Sequence, residues 1–360
     1  MGDRTVIPFG PQHPVLPEPI HLDLVIEDEH VIEALPSVGF VHRGLERLAE
    51  KHDFTEMVFV AERICGICSF IHGQGYCQAV ETLVGCEIPP RASWLRTYWA
   101  ELSRIHSHLL WLGLFADAFG FESLFQHTWR IREMIVDIIE ETAGGRVIFG
   151  SCKVGGVRRD ISNDRLRSLT KELKTIEAEC REVIDTFRTD TTVRKRTEGL
   201  GILSPEDALS LGAVGPMMRG SGISEDARNL GYAAYGDLEW EPIIETGNDC
   251  YARTLVRMRE VYQSFDLLYQ IADKIPEGEI SVPRVKGKPE GSFMSRLEQP
   301  RGEVCYFVEG NGSKRLERFR VRTPTFANIA PLVHTLKGCD LADVPVIVLT
   351  IDPCISCNER

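Results

Sequence analysis

No stretch of the sequence reaches the roughly 18 consecutive apolar residues that a bilayer-spanning helix needs, so no span is expected. The opening residues, MGDRTVIPFGPQHP, lack the basic and apolar regions of a secretory leader. A basic excess is missing too: 41 Lys and Arg against 53 Asp and Glu leave a net charge of −12. A groove for nucleic acid needs clustered cations to neutralise phosphates, so no nucleic-acid partner is expected. Neither an internal repeat nor a low-complexity segment interrupts the 360 residues, enough for one large domain or two ordinary ones. With 43% hydrophobic and 26% charged residues, the chain reads as a cytoplasmic globular protein.

What the sequence does have is cysteine. There are eleven, an odd number that argues against a disulfide framework. Cys77, Cys86, Cys152, Cys180, Cys250, Cys305 and Cys339 stand alone and are expected to be small buried hydrophobes. The other four form two Cys-x-x-Cys pairs, Cys65/Cys68 and Cys354/Cys357, each able to bring two thiolates to one ion. Gly66 relieves crowding in the first turn, and Pro353 fixes the backbone leading into the second. On spacing alone, structural zinc ranks first and an iron–sulfur cluster second. The wide separation of the pairs weakens zinc, because a large helical core has no need of a staple.

Between the pairs the pattern is mostly helical. The proline-rich opening contains a predicted hairpin, 21–26 and 30–35. Helices are predicted from His42 to Lys51, after the first cysteine pair, from Ala92 to Phe119, and from Ser123 to Thr142. Between Ser162 and Arg188, Leu166, Leu169, Leu173, Ile176, Cys180, Val183, Ile184 and Phe187 recur at steps of three or four, one apolar helix face. Ser204-Pro205-Glu206-Asp207 opens another helix with a cap and acids on its dipole, and a further one runs from Asp249 to Ile275. After Pro276, residues 303–309 and 315–322 read as a hairpin. A helix from Ala327 to Lys337 and a short apolar strand, 344–351, follow. The expected fold is mainly α with small β hairpins (α+β). It forms a single domain over 1–360: an N-terminal β and loop segment (1–38), a helical core (39–275), and a C-terminal α+β segment (276–360) closing the metal site.

The flanks of the cysteines decide among metals. Glu62-Arg63-Ile64-Cys65-Gly66-Ile67-Cys68 with His72, and Asp352-Pro353-Cys354-Ile355-Ser356-Cys357 with Asn358-Glu359-Arg360, closely resemble the two signatures of nickel-iron hydrogenase large subunits. Gly10-Pro11-Gln12-His13-Pro14, His42-Arg43-Gly44-Leu45-Glu46, and Gly247-Asn248-Asp249 with Arg253 and Arg257 look like the energy-converting, membrane-bound branch. That branch is similar to the quinone-site subunit of respiratory complex I. The resemblance implies a helical bundle whose N- and C-terminal segments meet at the metal. It makes Cys65 and Cys354 terminal nickel ligands, and Cys68 and Cys357 bridges to an iron carrying two cyanides and one carbon monoxide. Soft thiolates suit such a metal. Hydrogen is then split into a hydride and a proton, with the Cys354 thiolate as local base.

Around this centre the resemblance assigns further roles. Glu18, an odd acid between Pro17 and Pro19, becomes the first proton relay rather than a solvated loop carboxylate. His72 hydrogen-bonds a bridging thiolate rather than sitting idle in the core. Arg301, in Glu298-Gln299-Pro300-Arg301-Gly302, lies over the nickel–iron bridge, and Pro300 belongs to the same cofactor-binding segment. Pro324-Thr325 resembles the segment whose backbone and hydroxyl donate to a cyanide. Glu46, otherwise a surface charge with Arg43 as an i,i+3 partner, matches a glutamate that binds structural Mg2+; Arg360 stands where many hydrogenases have a metal-binding histidine. His13 reads as structural. His106 and His108, two apart on a helix, do not share a face, and His127, too, is not taken as a ligand.

The function implied is the catalytic subunit of an energy-converting hydrogenase, interconverting H2 with two protons and two electrons. Its implied partners are an iron–sulfur small subunit, a ferredoxin-type subunit and integral membrane ion-pumping subunits, with the chain peripheral on the cytoplasmic face of the membrane. The family often removes a C-terminal extension three residues past the last cysteine, and Arg360 is three past Cys357. Two other readings are a metal-free, complex I-like quinone-pocket subunit and a zinc-stapled structural protein.

Overall fold

The periodicity between Ser162 and Arg188 becomes a helix whose buried residues are the eight apolar ones of the sequence pattern. In the computed structural model, which describes residues 4–360, this amphipathic helix is joined by others that are buried nearly all round. The chain starts as an antiparallel sheet of β1 (Thr5–Phe9), β2 (His21–Glu27) and β3 (His30–Ser37), ordered β1-β2-β3. Alternation turns Leu22 and Leu24 of β2 inward. The short helices α1 (Leu45–Ala49) and α2 (Val58–Glu62) lead to α3 (Ser69–Val84), α4 (Pro90–Ala118) and α5 (Glu122–Ala143). Helix α4 opens with Pro90 at its first turn, where a missing N–H costs nothing.

A two-stranded ribbon, β4 (Cys152–Lys153) and β5 (Gly156–Val157), precedes α6 (Asn163–Thr189), capped by the Ser162 hydroxyl. Then come α7 (Thr191–Thr197), α8 (Pro205–Ser210), α9 (Pro216–Arg219) and α10 (Cys250–Lys274), the last capped by Asp249. A second antiparallel sheet, β6 (Glu290–Gln299), β7 (Gly302–Asn311) and β8 (Leu316–Arg322), packs on α3. Three helices finish the chain: α11 (Pro324–Leu336), α12 (Val344–Thr350) and α13 (Ile355–Glu359). This is an α+β fold, mainly helical with small antiparallel sheets.

Three expectations are corrected. Residues 344–351 are not a strand: Val344–Thr350 is helical, buried on every side, and Pro345 falls in the first turn, where helices accept it. Strand β6 was not expected; its outer half is polar, and the long pairing with β7 stabilises it. The His42–Lys51 helix shrinks to Leu45–Ala49 because residues 39–44 are held by the chain's last turn instead. Five of the seven lone cysteines are buried, and Cys86 and Cys339 are half-buried. No helix of the described residues is long and apolar enough to cross a membrane.

Candidate metal centre

The first cysteine pair occupies the turn between α2 and α3, the second the start of α13. In each, the backbone N–H of the second cysteine donates to the sulfur of the first: Cys68 to Cys65 at 3.3 Å, Cys357 to Cys354 at 3.4 Å. Each loop therefore turns both sulfurs one way. Although 289 residues apart, Cys65 and Cys354 bring their Sγ atoms to 3.3 Å. The sulfurs of Cys65, Cys68 and Cys357 lie within 4.8 Å of one another, and no other such group of His, Cys, Asp and Glu occurs among the described residues. All four cysteines are buried and none is in a disulfide. Hydrogen bonds from Cys354, then Cys357 and Cys68, hold the Cys65 thiol well below its ordinary range. Burial, reinforced by Cys354, pushes Cys357 up. Four converging soft sulfurs fit a thiolate-bound transition metal.

The expected companions gather here. Arg301, in the turn between β6 and β7, donates from Nη1 to Cys68 Sγ at 3.2 Å. It is clamped from behind by Asp352, whose carbonyl accepts from Nε at 2.9 Å and whose Oδ1 meets Nη2 at 2.9 Å. The turn itself is anchored through Glu298, whose carboxylate takes Arg219 at 2.8 Å and the Ala227 N–H at 3.0 Å. Asp352 holds a left-handed φ of 56°, rare for a residue with a side chain, and so turns the chain into Pro353. His72 Nε2 lies 3.3 Å from Cys357 Sγ, and its Nδ1 bonds the Tyr306 hydroxyl. Burial pushes His72 down to about 4, against the pull of the Cys65 thiolate, and pushes Tyr306 well up. The phenol thus keeps its proton and the imidazole stays neutral, its two ring nitrogens shared between Tyr306 and the Cys357 sulfur.

Glu18 reaches the second loop, where its Oε2 accepts from the Ile355 N–H and, at 3.3 Å, from the Ser356 N–H. Burial raises its carboxyl above the ordinary range, with Arg301 opposing and Cys65 adding to the rise. The Thr325 hydroxyl accepts the Cys354 N–H at 3.0 Å. Pro324 is buried in the first turn of α11, and Pro300 is buried next to Arg301.

Glu46 departs from its expected role. Its Oε1 accepts from the Val321 N–H at 2.8 Å and from Arg360 Nε at 3.0 Å. A guanidinium already neutralises this carboxylate, and among the described residues it belongs to no group of three His, Cys, Asp or Glu side chains that could hold an ion. These residues do not fit Mg2+. Arg43 does not pair with Glu46 either. It donates to the carbonyls of Arg63 (2.9 Å), Ile64 (2.7 Å) and Ser356 (3.2 Å), tying the two cysteine loops together. Arg43, Asp352 and Tyr306 are the site residues that sequence reasoning missed. The first two lie inside quoted motifs; Tyr306 has no local signal. Of the other histidines, His13 stacks on Phe9, His106 meets Arg132, His108 meets Glu260, and His127 meets Arg130.

Residues 43–115 match the nickel-dependent hydrogenase family, and residues 118–288 and 282–360 match the respiratory-chain NADH dehydrogenase 49 Kd subunit family. The chain is 37% identical over 373 residues to the membrane-bound hydrogenase subunit alpha of Pyrococcus furiosus, covering 98% of this chain and 87% of that protein. The chain belongs to this joint family of hydrogenase large subunits and 49 Kd respiratory subunits. Another member, the carbon monoxide-induced hydrogenase of Rhodospirillum rubrum, is 36% identical over 356 residues, 98% of this chain and 99% of that one. Among solved structures, a chain of the membrane-bound sulfane sulfur reductase, an archaeal respiratory membrane complex, matches with a TM-score of 0.94 at 29% identity, covering 99% of both chains. The family's fold is therefore this chain's fold, and oxidoreductases are its company.

Proposed function

We propose that the chain is the catalytic subunit of an energy-converting nickel-iron hydrogenase, interconverting H2 with two protons and two electrons. The observation that carries this reading is the convergence of four buried sulfurs with the Arg301 cation on Cys68 and the neutral His72 on Cys357. The match to the 49 Kd subunit favours a second reading, a metal-free quinone-pocket subunit, but such a subunit has no use for four converging thiols. A zinc staple has no use for a guanidinium above one ligand.

Cys65, Cys68, Cys354 and Cys357 would together hold a nickel–iron centre carrying carbon monoxide and cyanide. When bound, that centre would supply a Lewis acid that polarises hydrogen and a redox partner that exchanges electrons. Arg301 sets a fixed positive charge beside Cys68, and the Asp352 clamp keeps it there. His72 orients Cys357. Pro300, Pro324 and Thr325 would contact the diatomic ligands of the centre, and Thr325 also fixes the Cys354 backbone. Cys354 takes the proton first, and Glu18, raised by burial, is the better base for receiving it next. Arg360 replaces the magnesium of other hydrogenases by neutralising Glu46.

The chain acts as one unit, because its two ligand loops come from distant segments. With no second cysteine group among the described residues, electrons leave through an iron–sulfur small subunit towards a ferredoxin-type subunit. Membrane subunits pump ions, and the chain sits against them on the cytoplasmic face. Purification of the assembled complex tests this: nickel, with iron in excess of it because the partner subunits carry iron–sulfur clusters, and infrared bands of bound carbon monoxide and cyanide, are expected. Zinc in place of nickel, or a functional complex without nickel, would sink it.

A further inference from the structure

Glu62, the last residue of α2, is fully buried, yet neither carboxylate oxygen has a hydrogen-bond or ion-pair partner in the protein. Buried carboxyls without partners are rare because burial removes their hydration. The packing leaves room for this one. A Cβ at Gly73 of α3 would lie 2.8 Å from Glu62 Oε1, and one at Gly150 would lie 3.6 Å from Oε2. Ser69, one turn before Gly73, and Ser151, next to Gly150, likewise have buried hydroxyls with no protein partner. Three polar side chains from three segments therefore lack partners in one region of the interior, and ordered water is what satisfies such groups.

The charged and titratable groups acting on this carboxyl are few. Arg158, just after β5, and Arg63 are both exposed, and Cys77 of α3 and Cys152 of β4 lie within its electrostatic reach. Burial pushes both thiols up, Cys152 to about 12, so they keep their protons. Glu62 is left as the group that can exchange a proton, one layer beneath two surface cations. It stands three residues before Cys65, whereas Glu18 serves the Cys354 loop.

We propose that Glu62, with water held by Ser69 and Ser151, is a second proton-holding group serving the Cys65–Cys68 side of the centre and exchanging with solvent near Arg63 and Arg158. The inference rests on the hydrogenase reading. In each transfer the carboxylate gains one proton from the site and releases it outward, or the reverse, with no electron moved. Burial pushes this carboxyl up to about 7, so it changes state under ordinary conditions.

The test uses the intact complex. In the wild type, infrared spectroscopy should show a carboxyl band that titrates near neutrality and is absent from Glu62→Gln. That variant should lose about tenfold or more in hydrogen turnover, with nickel content and carbon monoxide and cyanide bands unchanged. Ser151→Ala, which leaves the carboxyl in place, should slow turnover several-fold and move the titration of the band. A nickel-loaded Glu62→Gln complex with wild-type rate and pH profile overturns the Glu62 inference alone, as does a wild type in which no such band titrates. A wild-type complex without nickel overturns the hydrogenase reading as well.

Discussion

Glu62 leaves a mark on stability that is independent of turnover. Its carboxyl, ordinarily at 4.5, is pushed to about 7 by burial, against Arg158 and Arg63. Below the unfolded value both states hold the proton, and the group's contribution to stability is complete. As pH rises towards 7 the unfolded chain releases its proton while the folded one keeps it, and up to about 3 kcal/mol is lost. Glu62→Gln should therefore raise the melting temperature at a pH of about 8 much more than at about 5. Equal shifts at both would show that the charge is not what matters. At this scale the sequence was informative where a motif carries the residue: both cysteine pairs, Glu18, His72 and Arg301 converge in the structure. It was silent on Tyr306, which meets His72 across 234 residues, and it gave Arg43 the wrong partner. Such contacts depend on how distant segments dock, which no local pattern encodes.

Among the elements, α6 was fully legible because one apolar stripe on a polar helix has a single solution. Helix α12 was not, because a short apolar run buried all round has no periodicity to separate helix from strand. Strand β6 escaped because its pairing, not its composition, makes it a strand. The contact of α3 with the β6–β7 pair is where element packing reaches the site. A Cβ at Gly75 would come within 2.8 Å of the Tyr306 ring and 3.1 Å of Leu297. Gly75→Ala should therefore push α3 off the sheet and cost about 1–3 kcal/mol, despite alanine's better helix propensity. Because Tyr306 steadies His72, the infrared bands of the centre should shift with it. A variant as stable as the wild type with unshifted bands would show that this packing gives way freely.

At the scale of the molecule, α+β architecture and the meeting of distant segments followed from the sequence, while the route by which they meet did not. Residues 39–43 grip the last turn: the Glu359 carboxylate accepts the Gly39 N–H at 2.6 Å, and Arg43 reaches Ser356. A bound metal adds a cross-link on top of these contacts. Closing a loop of 289 residues restricts the unfolded chain by up to about 6 kcal/mol on chain-entropy grounds. Removing the metal should lower the melting temperature of the assembled protein clearly, and Cys354→Ser should abolish that metal dependence while leaving the apo fold in place. A metal-free protein melting where the loaded one does would contradict this. The same separation has a consequence for manufacture. Cys65 is synthesised early and Cys354 late, so nothing can be mounted between them until the ribosome has read through everything in between and the product has found its shape. A damaged message or a stalled chain yields half a ligand set and no centre. A metal held by both pairs could thus enter only chains whose folding has already joined the two loops.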